Sequence, residues 1–221
     1  MKTLAIDTST STATAAIIED GNMIGVVSVN MNKPHSQKIM PVAESLFKQV
    51  ELSPKDIDLY AAAKGPGSFT GLRIGIAAVL GFSDAVNVPC IGVSTLDAMA
   101  FPFENADDYV CPLIDAKRNR AYYAVYKNGK RVIEPDCTSM DEILEKCKTL
   151  DGKVIFTGDF VPSNKEVLKS LGDKAVITDD AFCQANAIGV ARLAEKMYKA
   201  GVCERITPDY VLKSYVEELD K

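Results

Sequence analysis

The chain has 221 residues, with 25 Lys and Arg against 30 Asp and Glu and a formal net charge of −5. Its 47% hydrophobic and 25% charged content is that of a globular protein and excludes a disordered or collagen-like chain; the length allows one or two domains that fold without staples. The acidic balance argues against a chain that grips nucleic acid on its own, because that affinity comes from Lys and Arg neutralising phosphates.

The elements begin with a short apolar strand, Leu4 to Asp7, that ends in a carboxylate. A second strand follows from Thr12 to Ile18, then an Asp20-Gly21 hairpin turn and a third strand from Met23 to Asn30. Ser36 to Val50 places Ile39, Val42, Ala43, Leu46 and Val50 at helical spacing. Ile57 to Ala63 reads as a strand, Gly65 to Gly71 as a loop, Leu72 to Ala85 as a long apolar helix, and Pro89 to Val93 as a strand. Ser94 or Thr95 caps a short helix to Ala100.

The second half repeats this order. Tyr109 to Asp115 is a strand ending in a carboxylate, Ala121 to Lys127 the next, Asn128-Gly129 the hairpin, and Lys130 to Glu134 the third strand. Ser139 with Glu142 forms a capping box for a helix through Cys147. A strand at Lys153 to Thr157, a helix at Pro162 to Leu171, a strand at Ala175 to Thr178 and a helix from Gln184 to Ala200 follow, the last ended by Gly201. The turn chemistry of Phe101 to Asp108 marks the boundary, giving domains 1–102 and 103–221 with a cleft between two sheets. Asp7 and Asp115, at the ends of equivalent strands, are expected to face that cleft.

Six scattered cysteines without a C-x-x-C read as reduced thiols packed as small hydrophobes. Asp7 interrupts the start too early for a secretory leader, and the uncharged stretch between Arg73 and Asp84 is too short for a membrane span. The expectation is a cytoplasmic protein with no membrane contact.

The richest motif is Gly65-Pro66-Gly67-Ser68-Phe69-Thr70-Gly71-Leu72-Arg73. Strand, glycine loop and helix in this order offer backbone amides and a helix N-terminus to an anion. It matches neither a Walker loop nor a dinucleotide fingerprint, and a tight turn with Thr70 as N-cap is the other reading. Asp7, Thr8 and Ser9 suit a hydrated Mg²⁺ with phosphate, or else simply satisfy a turn. The candidate phosphate-binding set is therefore Asp7, Thr8, Ser9, Gly65, Gly67, Ser68, Thr70 and Gly71. His35 is the one histidine, so no H-x-x-x-H metal pair exists, and no G-x-S-x-G elbow holds a serine nucleophile. No metal site and no catalytic residue is expected. Ala116 to Lys127 is basic and aromatic, a nucleic-acid contact or the solvent face of a hairpin.

Ile6-Asp7-Thr8-Ser9, His35-Ser36-Gln37, the glycine-loop motif, Ile91-Gly92-Val93-Ser94-Thr95-Leu96 and Ile114-Asp115-Ala116-Lys117 resemble the TsaB (YeaZ) family. The match runs from Lys2 to about Tyr126, with an echo at Pro208-Asp209-Tyr210-Val211; the tail departs at Tyr210-Val211-Leu212-Lys213, where an Arg often stands. The resemblance implies an α/β fold of the actin/Hsp70/sugar-kinase type, two duplicated ribonuclease-H-like domains around a cleft. It implies a part in making threonylcarbamoyladenosine beside the tRNA anticodon. The catalytic relative, TsaD, holds metal with a His-x-x-x-His element after the Gly-Val strand; here Thr95 and Met99 stand in those places. A non-catalytic scaffold for a TsaD-like paralogue follows, with a TsaE-like ATPase as further partner, tRNA bound only through the complex, and ATP or ADP with Mg at the cleft or subunit junction. The alternatives are a nucleotide-hydrolysing or phosphotransferase member of the superfamily and, more weakly, a peptidase.

The helix from Leu72 is apolar on both faces, and Met40 and Phe47, one heptad apart, add a stripe beside the main face of the preceding helix. Met40, Phe47, Phe69, Arg73, Ile76 and Leu80 are the expected partner surface. The arrangement expected there is a small bundle of helices shared with a second subunit, a homodimer when the catalytic partner is absent.

Overall fold

The computed structural model describes residues 1–202 and 206–211. Five strands form the first sheet: β1 (Lys2–Asp7), β2 (Ala13–Glu19), β3 (Asn22–Val29), β4 (Leu59–Gly65) and β5 (Cys90–Ser94), in the order β3-β2-β1-β4-β5. The second holds β6 (Tyr109–Asp115), β7 (Arg120–Lys127), β8 (Lys130–Ser139), β9 (Val154–Thr157) and β10 (Ala175–Ile177), in the order β10-β9-β6-β7-β8. Read from its other edge, the second order is the first repeated. Both hairpins turn where expected, with left-handed backbone at Asp20 and Gly21 and at Asn128 and Gly129.

The helices are α1 (His35–Gln49), α2 (Phe69–Val86), α3 (Thr95–Ala100), α4 (Met140–Lys148), α5 (Lys165–Leu168) and α6 (Ala187–Lys199). Three local expectations need correction. Ser68, not Thr70, caps α2, its Oγ accepting from the Gly71 amide at 3.2 Å. Ser139 caps α4, but the Glu142 carboxylate accepts from Thr138 Oγ1 instead of closing the box. The helix expected over 162–171 breaks into 3₁₀ turns around α5, the second of which, Lys169–Lys174, is kinked at Gly172 with φ 59°.

The two strand sets separate at 101–108, yet the helices cross between them. α6 lays Val190, Ala191 and Ala194 against Ala5, Ile18, Leu59 and Ile91 of the first sheet. In return α3 lays Leu96, Met99 and Ala100 against Val110, Ile114 and Tyr126 of the second. Gly189 makes the α3–α6 crossing close, since a Cβ there would meet the Ala98 carbonyl oxygen. Each large apolar side chain buried in this exchange contributes roughly 1.5–3 kcal/mol, so two apolar seams join the halves.

Against the sequence expectation, α2 is long and apolar enough by length and composition to cross a membrane. It packs along β4 and β1 instead, through Leu72, Ile76 and Val79, which are buried. Cys111, Cys147 and Cys183 are buried, and Cys90 and Cys137 are half-buried. Cys203, Leu212 and Lys213 lie outside the described residues.

Candidate functional site

Between the two sheets lies a cleft of about 1030 Å³. One wall is the β1–β2 turn (Ser9, Thr10, Ser11), His35, and Gly67 to Phe69; the other is Asp115 to Arg118, Arg120, Tyr122, Asp159 and Phe160. Asn30, Ser163, Gln184 and Tyr210 complete the lining.

Asp7 does not face this cleft. It is 0% exposed, and its two oxygens accept from the amides of Ser9 at 2.9 Å and Asn186 at 3.0 Å. Burial raises its pKa, while the hydrogen bonds from Ser9 and Asn186 pull the other way. Its partner in the repeat, Asp115, does line the cleft. Asp7 thus sits behind the cleft wall, each oxygen holding an amide of the protein's own backbone.

The glycine loop is likewise turned inward. The Ser68 amide donates to the Ser9 carbonyl at 2.7 Å, and the Gly71 amide is taken by Ser68 Oγ. A Cβ at Gly67 would meet the Ser9 carbonyl oxygen, one at Gly71 the Thr8 carbonyl oxygen, and one at Gly65 the Asp209 carbonyl oxygen. Thr8 Oγ1 donates to the Gly71 carbonyl at 2.8 Å. These glycines let two backbones lie against each other, and the amides of Ser68 and Gly71 are spent. Of the expected phosphate set only Ser9, Gly67 and Ser68 line the cleft; Asp7, Thr8, Gly65, Thr70 and Gly71 do not.

His35 and Lys38, one turn apart at the start of α1, hold the Ser-rich turn. His35 Nε2 lies 2.7 Å from the Thr10 carbonyl. A carbonyl only accepts, so Nε2 carries the proton, and Nδ1 is buried with no partner among the described residues. Burial lowers the His35 pKa, the Thr10 carbonyl opposing. Lys38, 5% exposed, donates to the carbonyls of Ser11 at 2.8 Å and Met31 at 3.3 Å.

On the opposite wall Lys117, Arg118 and Asn119 all have left-handed backbone. Asp115 holds the turn by accepting from the Lys117 amide at 2.7 Å and its ammonium at 2.6 Å. Asp159 accepts the Asp115 amide at 3.0 Å. Burial pushes the Asp159 carboxyl up to about 6, and the Asp115 and Asp7 charges add to the shift against that hydrogen bond. Sequence reading missed Asp159. The signal was the repeat itself: Gly158-Asp159 follows β9 as the glycine loop follows β4.

The expected partner surface divides. Met40 is 50% exposed, but Phe47 is 8% exposed and packs edge-on to Phe82 at 6.0 Å. The stripe fails at its second member because Phe82 of α2 covers it. Ile76 is also in the core, at 4% exposed. Arg73 and Phe69 are exposed and Leu80 is half-buried; Ala77 and Gly81 continue the line of exposed α2 positions.

The family model for TsaD, tRNA N6-adenosine threonylcarbamoyltransferase, matches residues 9–214. The chain is 31% identical over 216 residues to the tRNA threonylcarbamoyladenosine biosynthesis protein TsaB of Bacillus subtilis (strain 168), covering 96% of this chain and 94% of that one. It is similar in structure to YeaZ from Pseudomonas aeruginosa, with a TM-score of 0.74 at 22% identity over 95% of this chain and 99% of that one. Component A of the (R)-2-hydroxyglutaryl-CoA dehydratase of Acidaminococcus fermentans has a TM-score of 0.58 at 14% identity, over 91% and 100% of the two chains. These structural likenesses show the fold alone.

Proposed function

This chain belongs to the TsaB (YeaZ) family of proteins of tRNA threonylcarbamoyladenosine biosynthesis, and from that membership we propose that it is a non-catalytic subunit holding a TsaD-type catalytic subunit. The observation that carries the reading is the outer face of α2. This apolar helix has only 33% of its residues buried. Phe69, Arg73, Ala77 and Gly81, at successive four-residue steps, lie exposed along it. An apolar helix in contact with its own protein on one side leaves the other for a second subunit.

The segment that holds metal in the catalytic relative supports a scaffolding role. Thr95 is 0% exposed and Met99 is 3% exposed. Met99 packs with Leu96 and Val110 beneath the second sheet, so that position serves the core, while the Thr95 hydroxyl is buried with no partner among the described residues. The proposal places the protein in the cytosol, with tRNA bound through the complex, a TsaE-type ATPase as a further partner, and a homodimer formed through α2 when the catalytic subunit is absent.

A second reading, an adenine nucleotide in the cleft, is favoured by the cleft's volume and by Lys117, Arg118 and Arg120 on its wall. The carboxylates that line the cleft are Asp115 and Asp159, whereas Asp7 is buried behind its wall. Calorimetry with ATP and Mg²⁺, alone and with the catalytic subunit, tests it.

The scaffold reading is tested by Ala77→Arg, which adds bulk and charge to an exposed helical position. Sedimentation with and without a TsaD-type subunit should show affinity weakened about tenfold or more, the ~1.4 kcal/mol expected at an interface anchor. Circular dichroism should remain that of the folded chain. Undiminished association of the folded variant overturns the assignment of α2.

A further inference from the structure

Residues 206–211 cross the glycine loop as a strap. Ile206 is 4% exposed and anchored in the first core. The Asp209 amide donates to the Lys64 carbonyl at 2.7 Å, prolonging the end of β4, and the Asp209 carbonyl fills the space a Cβ on Gly65 would need. Tyr210 then reaches α2. Its ring stacks on Phe69 with centroids 4.6 Å apart and planes at 27°. Its hydroxyl accepts from Arg73 Nε at 2.9 Å, and the Arg73 guanidinium lies 3.9 Å above the Phe69 ring.

This triad belongs to two surfaces at once. Phe69 and Tyr210 line the cleft, whereas Arg73 sits on the exposed line of α2 that continues through Ala77 and Gly81. We propose that Arg73 and Tyr210 form a latch between the partner face and the cleft: a carboxylate-bearing partner surface docked along α2 takes Arg73, frees Tyr210, and opens the cleft mouth.

The chemistry favours the exchange. A phenol hydroxyl gives the guanidinium one neutral acceptor. A carboxylate gives it two parallel bonds, each charge-assisted and roughly twice as strong. The first turns of α2 add a positive potential that favours a carboxylate there. The small side chains at Ala77 and Gly81 let a partner backbone come near, and a Cβ at Gly81 would have no neighbour within 4 Å. The inference rests on the reading of α2 as the partner face.

The sequence contains no tryptophan, so Phe69→Trp installs a single emitter in the stack and keeps the Tyr210 hydroxyl that accepts from Arg73, with hydrogen exchange of the Asp209 amide in the parent chain as the second measurement should that variant fail to fold. In the free chain the emission should be shielded and its anisotropy high. Adding Arg73→Gln should shift it to the red and lower the anisotropy; no change on that substitution overturns the latch. Adding a TsaD-type subunit should move the reporter to the emission maximum of the Arg73→Gln variant. Association seen by sedimentation with the emission unmoved overturns the coupling while leaving the partner reading intact. Absence of association overturns the partner reading, and this inference with it.

Discussion

The Asp7 carboxylate accepts the backbone amide of Asn186 at 3.0 Å, tying the end of the first strand to the residue that caps the last helix. Its other oxygen takes the Ser9 amide at 2.9 Å. The bond joins positions 179 apart in sequence, across the seam where α6 returns to the first sheet. Asp7→Ala strands two buried amides, each worth about 1–3 kcal/mol when left unpaired. The expected outcome is a loss of roughly 2–4 kcal/mol in urea unfolding, with α6 amides exchanging faster. A fully stable Asp7→Ala chain would return this carboxylate to the list of groups kept for a ligand.

Two glycines of α2 should respond in opposite directions. A Cβ at Gly71 falls on the Thr8 carbonyl oxygen, which cannot move without dragging the β1–β2 turn. Gly81 faces open space on the exposed side of the same helix. Gly81→Ala should stabilise the free chain by about 0.5–1 kcal/mol, the usual helical gain of Ala over Gly. Gly71→Ala should cost about 2–4 kcal/mol through backbone displacement. Thermal unfolding of both single variants checks the pair.

Phe47→Ala belongs to the core and not to an outer stripe. The ring is 8% exposed and meets Phe82, which in turn stacks on Tyr60 at 5.7 Å. Truncation should cost about 3–5 kcal/mol, the range for emptying a buried Phe site. Met40→Ala, 50% exposed, should change the free chain by less than about 0.5 kcal/mol. Urea midpoints of the two variants test the division directly.

What the sequence could reveal followed the range of the interaction. Asp20-Gly21 and Asn128-Gly129 set their turns by their own backbone preferences, so both hairpins and the repeat they frame were legible. The amphipathic spacing of α1 was legible as well. The exchange of α3 and α6 was not, because it depends on which sheet face stands open after the strands have paired. Gly67 and Gly71 stood out correctly as special, but a glycine admitting a carbonyl and a glycine admitting a phosphate look alike in one sequence. Phe47 has the heptad relation to Met40 that geometry demands; its burial is decided by Phe82, thirty-five positions later in the numbering. Asp159 gave no local sign beyond its place in the repeat, since its altered acidity arises from burial and from Asp115.

Asp159 sets a pH dependence whose sign is opposite to that of a salt-bridged carboxylate. Its folded pKa, about 6, lies above the ordinary 3.8. Below about pH 4 both folded and unfolded chains carry the proton, and Asp159 costs nothing. Between about 4 and 6 the folded chain keeps a proton that the unfolded chain has lost, so stability falls as pH rises. Above 6 the whole cost of the buried charge is present. The shift of 6 − 3.8 = 2.2 sets a ceiling of about 3 kcal/mol, which partial exposure to the cleft reduces to about 1–2 kcal/mol. Asp159→Asn keeps an oxygen to accept the Asp115 amide and removes the charge. It should therefore be more stable than the parent by that amount at pH 7 and equal to it near pH 4. His35, whose pKa burial lowers, works the other way, its neutral folded form losing ground as pH falls below the ordinary histidine range. It is common to both proteins, so the difference in urea midpoint between them, followed from pH 4 to pH 8, isolates Asp159. A difference that stays flat across that range would show the carboxyl to be ionised throughout and the cleft floor to be wetter than its burial implies.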